Sequence, residues 1–190
     1  MKALEEKILN EGKVLPGHIL KVGNFLNQQI DVDFMMQMGE HVAQLFAGEK
    51  ITKVLTVEAS GIAFALAVAA HLHVPMAFAK KHASANIGAD TYKAVVHSYT
   101  HNRDYTIVLS KEYLNSEDRV LITDDFLACG NALKGLISMC KEAGAQVVGC
   151  ATAIEKGFQG GGDELRAQGY RIESLAIVES MSDTELTFRS

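Results

Sequence analysis

Two adjacent carboxylates, Asp124 and Asp125, follow a short apolar run from Val120 to Ile122. This β-branched run predicts a strand that is buried on both faces of a parallel sheet and ends at the acidic pair. Open α/β sheets bind their ligands at the carboxyl ends of the strands. The two carboxylates are therefore candidates for binding the hydroxyl groups of a ligand.

A turn of small residues follows the acidic pair and leads into an apolar segment with helical spacing that extends to Ala143; the turn comprises Ala128, Cys129, Gly130 and Asn131. Such a turn exposes backbone N–H groups at the start of a helix, where the helix dipole favours an anion. Hydroxyl-binding carboxylates beside a phosphate-binding loop suit a sugar phosphate. The alternative is a doubly wound domain whose acidic pair binds only a metal ion.

A second unit of strand, turn and helix lies earlier in the chain. Residues 53–58 predict a strand, Ala59, Ser60 and Gly61 form a small-residue turn, and residues 62–71 predict an apolar helix. This unit gives a second site rich in backbone amides. The strand predicted for 76–79 then leads into the basic cluster 80–82, whose default interpretation is a solvated surface.

The remaining segments complete an alternation of strands and helices. We expect a helix over 2–11, an irregular strap over 13–32, a helix capped by Asp33, a lid formed by two β arms around residues 101–104 after the small, polar segment 83–92, a strand over 147–154, a helix over 163–168 and a strand over 172–178. This alternation predicts a mostly parallel sheet with right-handed crossovers. An ordinary surface hairpin is the alternative to the lid.

Length and composition narrow the class of protein. A chain of 190 residues predicts a single domain, with N-terminal helices and a strap over 1–50 and the core over 51–190. The net charge of −5 provides no broad basic surface for nucleic acid or an anionic membrane. The absence of an apolar signal region predicts a cytoplasmic location. Three cysteines without a C-x-x-C pair argue against a disulfide scaffold or a structural zinc site.

The strand, acidic pair and turn within 119–135 resemble the phosphoribosyl-pyrophosphate (PRPP) signature of type I phosphoribosyltransferases. The resemblance covers residues 1–190, and three further stretches carry it: 20–27, 58–62 and 154–158. It implies an α/β fold in which helices flank a mostly parallel central sheet, with a flexible β-hairpin lid, a small hood from the N-terminal and post-sheet segments, and a homodimer. Cys129 and Ala132 depart from the hydroxyl residues of the signature, which leaves backbone amides and Asn131 to hold phosphate.

The resemblance also implies roles for individual residues. Asp124 and Asp125 hold the ribose hydroxyls, and the 5′-phosphate is held by Ala128, Cys129, Gly130, Asn131 and Ala132. Pyrophosphate is bound by Ser60, Gly61 and Lys81, with a cis peptide expected at Ala59–Ser60. Mg²⁺ is expected to be held mainly by PRPP and water, without a protein metal cage.

For the base, the resemblance implies contacts with Leu20, Asn27 and Lys156. A lysine only donates hydrogen bonds, so Lys156 favours a base with carbonyl oxygens, such as xanthine, hypoxanthine or guanine, over adenine. The resemblance implies transfer from PRPP to xanthine in purine salvage, with the other purine bases as alternatives. A PRPP-sensing regulator of the same fold is a further alternative, although the residues before 53 lack a basic recognition helix.

Overall fold

The computed structural model describes residues 1–81, 90–98 and 103–189. Its helices are α1 (Lys2–Glu11), α2 (Val32–Leu45), α3 (Gly61–Leu72), α4 (Asn131–Ala143) and α5 (Gly161–Ala167). Its strands are β1 (Lys13–Leu15), β2 (Ile19–Lys21), β3 (Lys53–Val57), β4 (Met76–Ala79), β5 (Thr91–Ser98), β6 (Arg103–Ser110), β7 (Arg119–Leu127), β8 (Gln146–Lys156), β9 (Ile172–Met181) and β10 (Leu186–Phe188).

The central sheet has the strand order β10-β9-β8-β7-β3-β4. All neighbours pair in parallel except β10, which runs antiparallel to β9. Two antiparallel pairs lie outside this sheet: the β1–β2 hairpin and the β5–β6 ribbon. The prediction of a mostly parallel sheet is confirmed.

Apolar side chains cover both faces of the sheet, as the alternation along β7 illustrates. Leu121 belongs to the core cluster on the side of α2 and α3, while Ile122 belongs to the cluster on the side of α4. Successive side chains of a strand point to opposite faces, so a strand covered on both sides is apolar throughout. Leu4 of α1 and Phe25 also join the first cluster, so the N-terminal segment packs directly on the sheet.

The N-terminal strap contains more regular structure than the sequence predicts. Residues 13–21 form the β1–β2 hairpin, and Gly23–Asn27 form a π-helical turn. The helix that follows is capped by Asp31, whose carboxylate accepts a hydrogen bond from the Phe34 amide at 3.1 Å, so the prediction of Asp33 as the cap is wrong. Asp33 instead lies in the first turn of the helix, where its negative charge interacts favourably with the helix dipole.

The predicted lid corresponds in part to the β5–β6 ribbon. Its arms pair from Thr91–Ser110 to Ser98–Arg103. The predicted loop residues 101 and 102, together with His82 and most of the polar segment 83–92, lie outside the described residues. None of the helices in the described part of the chain has both the length and the apolar composition that a membrane crossing requires.

Candidate active site

The acidic pair lies within β7, not at its end, so the sequence prediction of the strand boundary is wrong. β7 pairs with β3 only as far as Ile122, whereas its pairing with β8 continues to Leu127. The continuing ladder with β8 keeps Asp124 and Asp125 in a strand conformation. The missing ladder on the β3 side leaves space for the turn that precedes α3.

Neighbouring positions on a strand direct the two carboxylates into different cavities. Asp124 lines a cavity of about 230 Å³ on the side of the β5–β6 ribbon. Asp125 lines a cleft of about 780 Å³ beneath the N-terminal segment. Phe126 and Ala128 line both cavities. The acidic pair therefore lies at the junction of two cavities.

Asp125 is held by two side chains from separate parts of the chain. Its Oδ1 accepts a hydrogen bond from the Ser60 hydroxyl at 2.9 Å, and its Oδ2 accepts one from the Asn27 amide at 3.1 Å. Because both carboxylate oxygens have donors, the side chain is fixed in orientation before any ligand binds. The predicted base contact Asn27 and the predicted pyrophosphate contact Ser60 thus meet on the same carboxylate.

Asp124 is in a less favourable electrostatic environment. Burial raises the pKa of its carboxyl well above the ordinary value, and the negative charge of Asp125 and a side-chain hydrogen bond to it add to this rise. The Asp125 backbone amide, which donates to Asp124 Oδ1 at 3.0 Å, and the Lys81 ammonium act in the opposite direction. A cationic ligand or transition state beside Asp124 would relieve this repulsion.

The smaller cavity contains the predicted phosphate loop. Its lining includes Cys129, Gly130, Asn131 and Ala132, together with His97 and Tyr105 of the ribbon. The loop ends at the first residue of α4, so backbone N–H groups at this helix start are directed as an anion site requires. The Asn131 side chain donates instead to the His97 carbonyl at 3.0 Å and links the loop to the ribbon.

The larger cleft brings together the predicted base contacts Leu20, Asn27 and Lys156. Lys156 donates to the His18 carbonyl at 2.8 Å, and burial lowers the pKa of its ammonium group. His18 is held in turn, since its Nδ1 lies 3.1 Å from the Met181 carbonyl and its ring lies 5.4 Å from that of Phe158. The turn between β1 and β2, which contains His18, and the end of β8 therefore position Lys156 together.

The turn before α3 begins one residue earlier than predicted. The cis peptide bond joins Glu58 and Ala59, directly after β3 ends at Val57, so the expectation of a cis bond at Ala59–Ser60 is wrong. At Gly61 a Cβ atom would lie 2.4 Å from Thr56 Oγ1 and 3.0 Å from Asp124 Oδ1. Only glycine allows the start of α3 to approach the acidic pair this closely.

Lys81 lies at the margin of the site. Its backbone amide donates to the Glu58 carboxylate at 2.6 Å, and its ammonium lies 5.3 Å from the centre of the Tyr105 ring. Lys81 lines neither of the two cavities in the described residues. Its charge nevertheless acts on Asp124, so it contributes positive potential at the smaller cavity.

The structure also reveals site residues that the sequence did not indicate. Phe126 borders both cavities, and Tyr105 faces the smaller one. An extension of the β7 alternation beyond Ile122 could have identified Phe126. Tyr105 has no such signal, because its position depends on how the ribbon packs against α4.

The site offers oxygen donors for a hard cation but no complete set of protein ligands. Asp124 and Asp125 supply carboxylate oxygens, which Mg²⁺ prefers. Residues 1–81, 90–98 and 103–189 contain no group of three or more His, Cys, Asp or Glu side chains arranged to hold a metal. This donor set fits an ion whose remaining ligands come from substrate phosphates and water.

The family model described as phosphoribosyl transferase domain matches residues 26–182 of the chain. The chain belongs to the phosphoribosyltransferase family. It is 53% identical over 193 residues to a xanthine phosphoribosyltransferase of Bifidobacterium adolescentis, covering 100% of both chains. It is 51% identical over 188 residues to one of Brevibacillus brevis, covering 99% of this chain and 96% of the relative.

Solved structures of phosphoribosyltransferases share the fold. The APRTase from Giardia lamblia complexed with 9-deazaadenine superposes with a TM-score of 0.77 at 23% identity, covering 93% of this chain and 98% of that one. Adenine phosphoribosyltransferase from Rhodothermus marinus gives 0.75 at 22% identity, covering 94% and 100%. The predicted type I phosphoribosyltransferase fold of class α/β is confirmed.

The repulsion at Asp124 predicts a gain of stability when its charge is removed. A raised pKa means that the folded protein binds the proton more tightly than the unfolded chain, so stability decreases as pH rises from the ordinary value of 3.8 to the raised one. Asp124→Asn should therefore increase the Tm at neutral pH, by about 2–4 °C for each kcal/mol relieved. Thermal unfolding at neutral and acidic pH should show the gain shrinking in acid. A lower Tm for the variant at neutral pH would contradict this.

The three thiols should differ in reactivity. Burial raises the pKa of the Cys140 thiol to about 12, with a smaller contribution from Asp118. Burial likewise raises the pKa of the Cys150 thiol to about 12, with a smaller contribution from Cys140. Cys129, in contrast, is half-buried and lines the smaller cavity. We expect Cys129 to be alkylated first and PRPP to slow its labelling. Peptide mapping by mass spectrometry measures this, with Cys129→Ser as the control. Equal rates for all thiols, or no protection by PRPP, would oppose the assignment.

Proposed function

We propose that this phosphoribosyltransferase transfers the 5-phosphoribosyl group from PRPP to xanthine, giving xanthosine 5′-monophosphate and pyrophosphate in purine salvage. The observation that carries the proposal is the acidic pair at the junction of two cavities. One cavity contains a loop of small residues at a helix start, and the other contains a half-buried lysine. A nucleotide has the same sequence of parts: phosphate, ribose with two hydroxyls, and base.

In this proposal the smaller cavity takes the 5′-phosphate. The backbone amides of residues 128–132 supply the donors, so the absence of hydroxyl side chains at Cys129 and Ala132 does not prevent binding. The ribose lies over Asp124 and Asp125, whose carboxylates accept hydrogen bonds from its two hydroxyls. Charge-assisted bonds of this kind are about twice as strong as neutral ones.

Pyrophosphate lies at the start of α3. The turn that carries Ser60 and Gly61 lies against the acidic pair, since the Ser60 hydroxyl donates to Asp125 and Gly61 closely approaches Asp124. The exposed Lys81 ammonium is close enough to lower the pKa of Asp124. Mg²⁺, when bound with PRPP, neutralises charge on the leaving pyrophosphate. The chain's own contribution is to hold the anion through amides and a lysine, close to the carboxylates that hold the sugar.

Lys156 provides the basis for selecting the base. An ammonium has three N–H donors, and the His18 carbonyl accepts one, which leaves two for a ligand. They can donate to a purine carbonyl oxygen, which xanthine, hypoxanthine and guanine have and adenine lacks. The names of the relatives from Bifidobacterium adolescentis and Brevibacillus brevis support xanthine. Leu20 and Asn27 complete the lining of this cleft.

The reaction forms a bond between a base nitrogen and C1 of the ribose and breaks the bond from C1 to the pyrophosphate oxygen. Pyrophosphate leaves with the bonding electrons, and the base nitrogen loses its proton. Positive charge develops on the ribose ring, as in glycoside cleavage. Asp124 and Asp125 lie where their negative field favours that charge. The β5–β6 ribbon is proposed as a lid that excludes water from this intermediate stage.

We further propose a cytoplasmic homodimer in which residues 1–190 form one domain. The surface proposed for the second copy is the outer side of α3, a helix without Asp, Glu, Lys or Arg. Its Leu66 is 59% exposed. Sedimentation equilibrium tests this assembly, and a monomer at micromolar concentration would argue against it. The N-terminal segment shares the hydrophobic core with the sheet, which favours a single unit over a separate DNA-binding domain.

Removal of the Asp125 carboxylate should abolish turnover. Hydrogen bonds to charged groups contribute about 1.5–3 kcal/mol each. If Asp125 accepts hydrogen bonds from both ribose hydroxyls, the loss of these two bonds should lower kcat/KM by about 100-fold or more. We therefore expect Asp125→Ala to remain folded and to lose PRPP turnover, with circular dichroism as the control for folding. A folded variant with full activity would remove Asp125 from the ribose site.

Substitution of Lys156 should affect the base more than PRPP. We expect Lys156→Ala to raise the KM for xanthine by about 10–100-fold, the equivalent of one charge-assisted hydrogen bond, and to change the KM for PRPP little. Lys141→Ala is a suitable control because Lys141 is exposed on α4 and lines neither cavity. Steady-state kinetics with each substrate varied in turn separate the effects. An increase confined to PRPP would place Lys156 outside the base pocket.

A further inference from the structure

Helix α5 lies directly behind the phosphate loop. The Gly161 amide donates to the Ala128 carbonyl at 3.2 Å. A Cβ atom at Gly161 would lie 2.3 Å from the Ala128 carbonyl oxygen, 2.4 Å from the Cys129 carbonyl carbon and 2.5 Å from the Gly130 nitrogen. Real Cβ atoms do not approach backbone this closely, so any side chain at Gly161 must displace either the loop or the helix.

A lysine reinforces this contact. The Lys134 ammonium lies 3.3 Å from the Cys129 carbonyl and 2.7 Å from the Glu164 carboxylate of α5. It therefore connects the loop, through α4, with the helix behind it. Because the loop has few side chains of its own to fix its backbone, its conformation depends on these external contacts.

The other side of α5 contacts the residue next to Lys156. Glu155 is completely buried, and its carboxylate accepts a forked pair of hydrogen bonds from Arg166 at 2.9 and 2.7 Å, together with one from the Ser174 hydroxyl. A Cβ atom at Gly162 would lie 2.1 Å from Glu155 Oε1. Successive strand residues point to opposite faces. Anchoring Glu155 on α5 thus directs Lys156 toward the cleft.

We propose that α5 is a positioning element that couples the two halves of the site. Gly161 sets the backbone of the phosphate loop, and Arg166 sets Lys156 through Glu155. Neither residue lines the smaller cavity or the cleft. The inference rests on the proposed function, because it takes the loop as the 5′-phosphate site and Lys156 as the base contact. A single short helix then fixes the phosphate and base positions relative to each other.

The first test compares two neighbouring glycines. Gly161→Ala should raise the KM for PRPP by about tenfold or more, since displacements near 1 Å in positioning groups can cost 100-fold, and should leave the KM for xanthine within about threefold. Gly160→Ala is the matched control: Gly160 has a φ of +77° and no atom within 4 Å of the added Cβ, so it loses stability without touching the loop. Lys134→Met tests the same contact without a clash and should also raise the PRPP KM.

The second test addresses Arg166. Arg166→Lys keeps the charge but loses the forked geometry, and should raise the KM for xanthine by about tenfold with a smaller change for PRPP. The double variant Glu155→Gln with Arg166→Gln removes the buried charge of Glu155 together with that of its half-buried partner and guards against simple unfolding. Melting temperatures for all variants separate loss of fold from loss of position.

The outcomes distinguish a failure of the positioning role of α5 from a failure of the proposed function. Equal effects of Gly161→Ala and Gly160→Ala on the PRPP KM, or an Arg166→Lys enzyme with unchanged KM for xanthine, would overturn the positioning role alone. The proposed function itself would fail if Asp125→Ala and Lys156→Ala turned over both substrates normally. The positioning role would be supported if Gly161→Ala raised mainly the KM for PRPP and Arg166→Lys raised mainly the KM for xanthine, while Gly160→Ala kept both wild-type KM values.

Discussion

The site depends on two neighbouring carboxylates held inside a strand. β7 retains its ladder with β8 through the acidic pair and has already lost its ladder with β3. Asp124 and Asp125 are consequently fixed by the backbone, directed to opposite sides and kept largely from water. Two like charges in this arrangement repel each other, and burial adds to the cost. In the free protein the two carboxylates repel each other. In the proposed function, hydroxyl groups and the positive charge that develops on the ribose relieve this repulsion.

The other parts of the site can be understood as contacts to this pair. The turn before α3 directs Ser60 to Asp125 and allows Gly61 to approach Asp124. The N-terminal π-helical turn supplies Asn27 to the same carboxylate. The phosphate loop begins directly after β7, and β8 beside it carries Lys156. In the proposed function, this break in one strand ladder organises the ribose, phosphate and base positions around a single point.

Much of this arrangement could be predicted from local sequence. Apolar strands, small-residue turns and helical spacing indicate the parallel sheet, the two amide-rich turns, and Asp124 and Asp125 as candidates for binding hydroxyl groups. The role of Lys156 is instead implied by the resemblance to the family. The strand boundary could not be predicted, because carboxylates in a strand interior depend on pairing with β8, a long-range contact. The cis bond, which the resemblance placed at Ala59–Ser60, lies one residue earlier, between Glu58 and Ala59.

The contacts of α5 could not be predicted either. The sequence predicts a helix only from 163, whereas the helix begins at Gly161, and Gly161 and Gly162 mark close approaches to the phosphate loop and to Glu155. The sequence does not indicate that Glu155 is buried or that it pairs with Arg166. The two residues lie eleven positions apart, and only the fold brings their side chains into contact. Sequence patterns report periodicity within an element, whereas these contacts arise between elements.

The most direct test of the account is Mg²⁺- and PRPP-dependent nucleotide formation with xanthine, guanine, hypoxanthine and adenine supplied separately. The account predicts turnover with xanthine far ahead of the other bases, in line with the names of the relatives, and with adenine the poorest, because the free donors of Lys156 require a carbonyl oxygen. Adenine ahead of the other bases would contradict the role given to Lys156, and guanine or hypoxanthine ahead of xanthine would contradict the choice of xanthine. No turnover with any base, despite binding of PRPP, would contradict the proposed transfer itself.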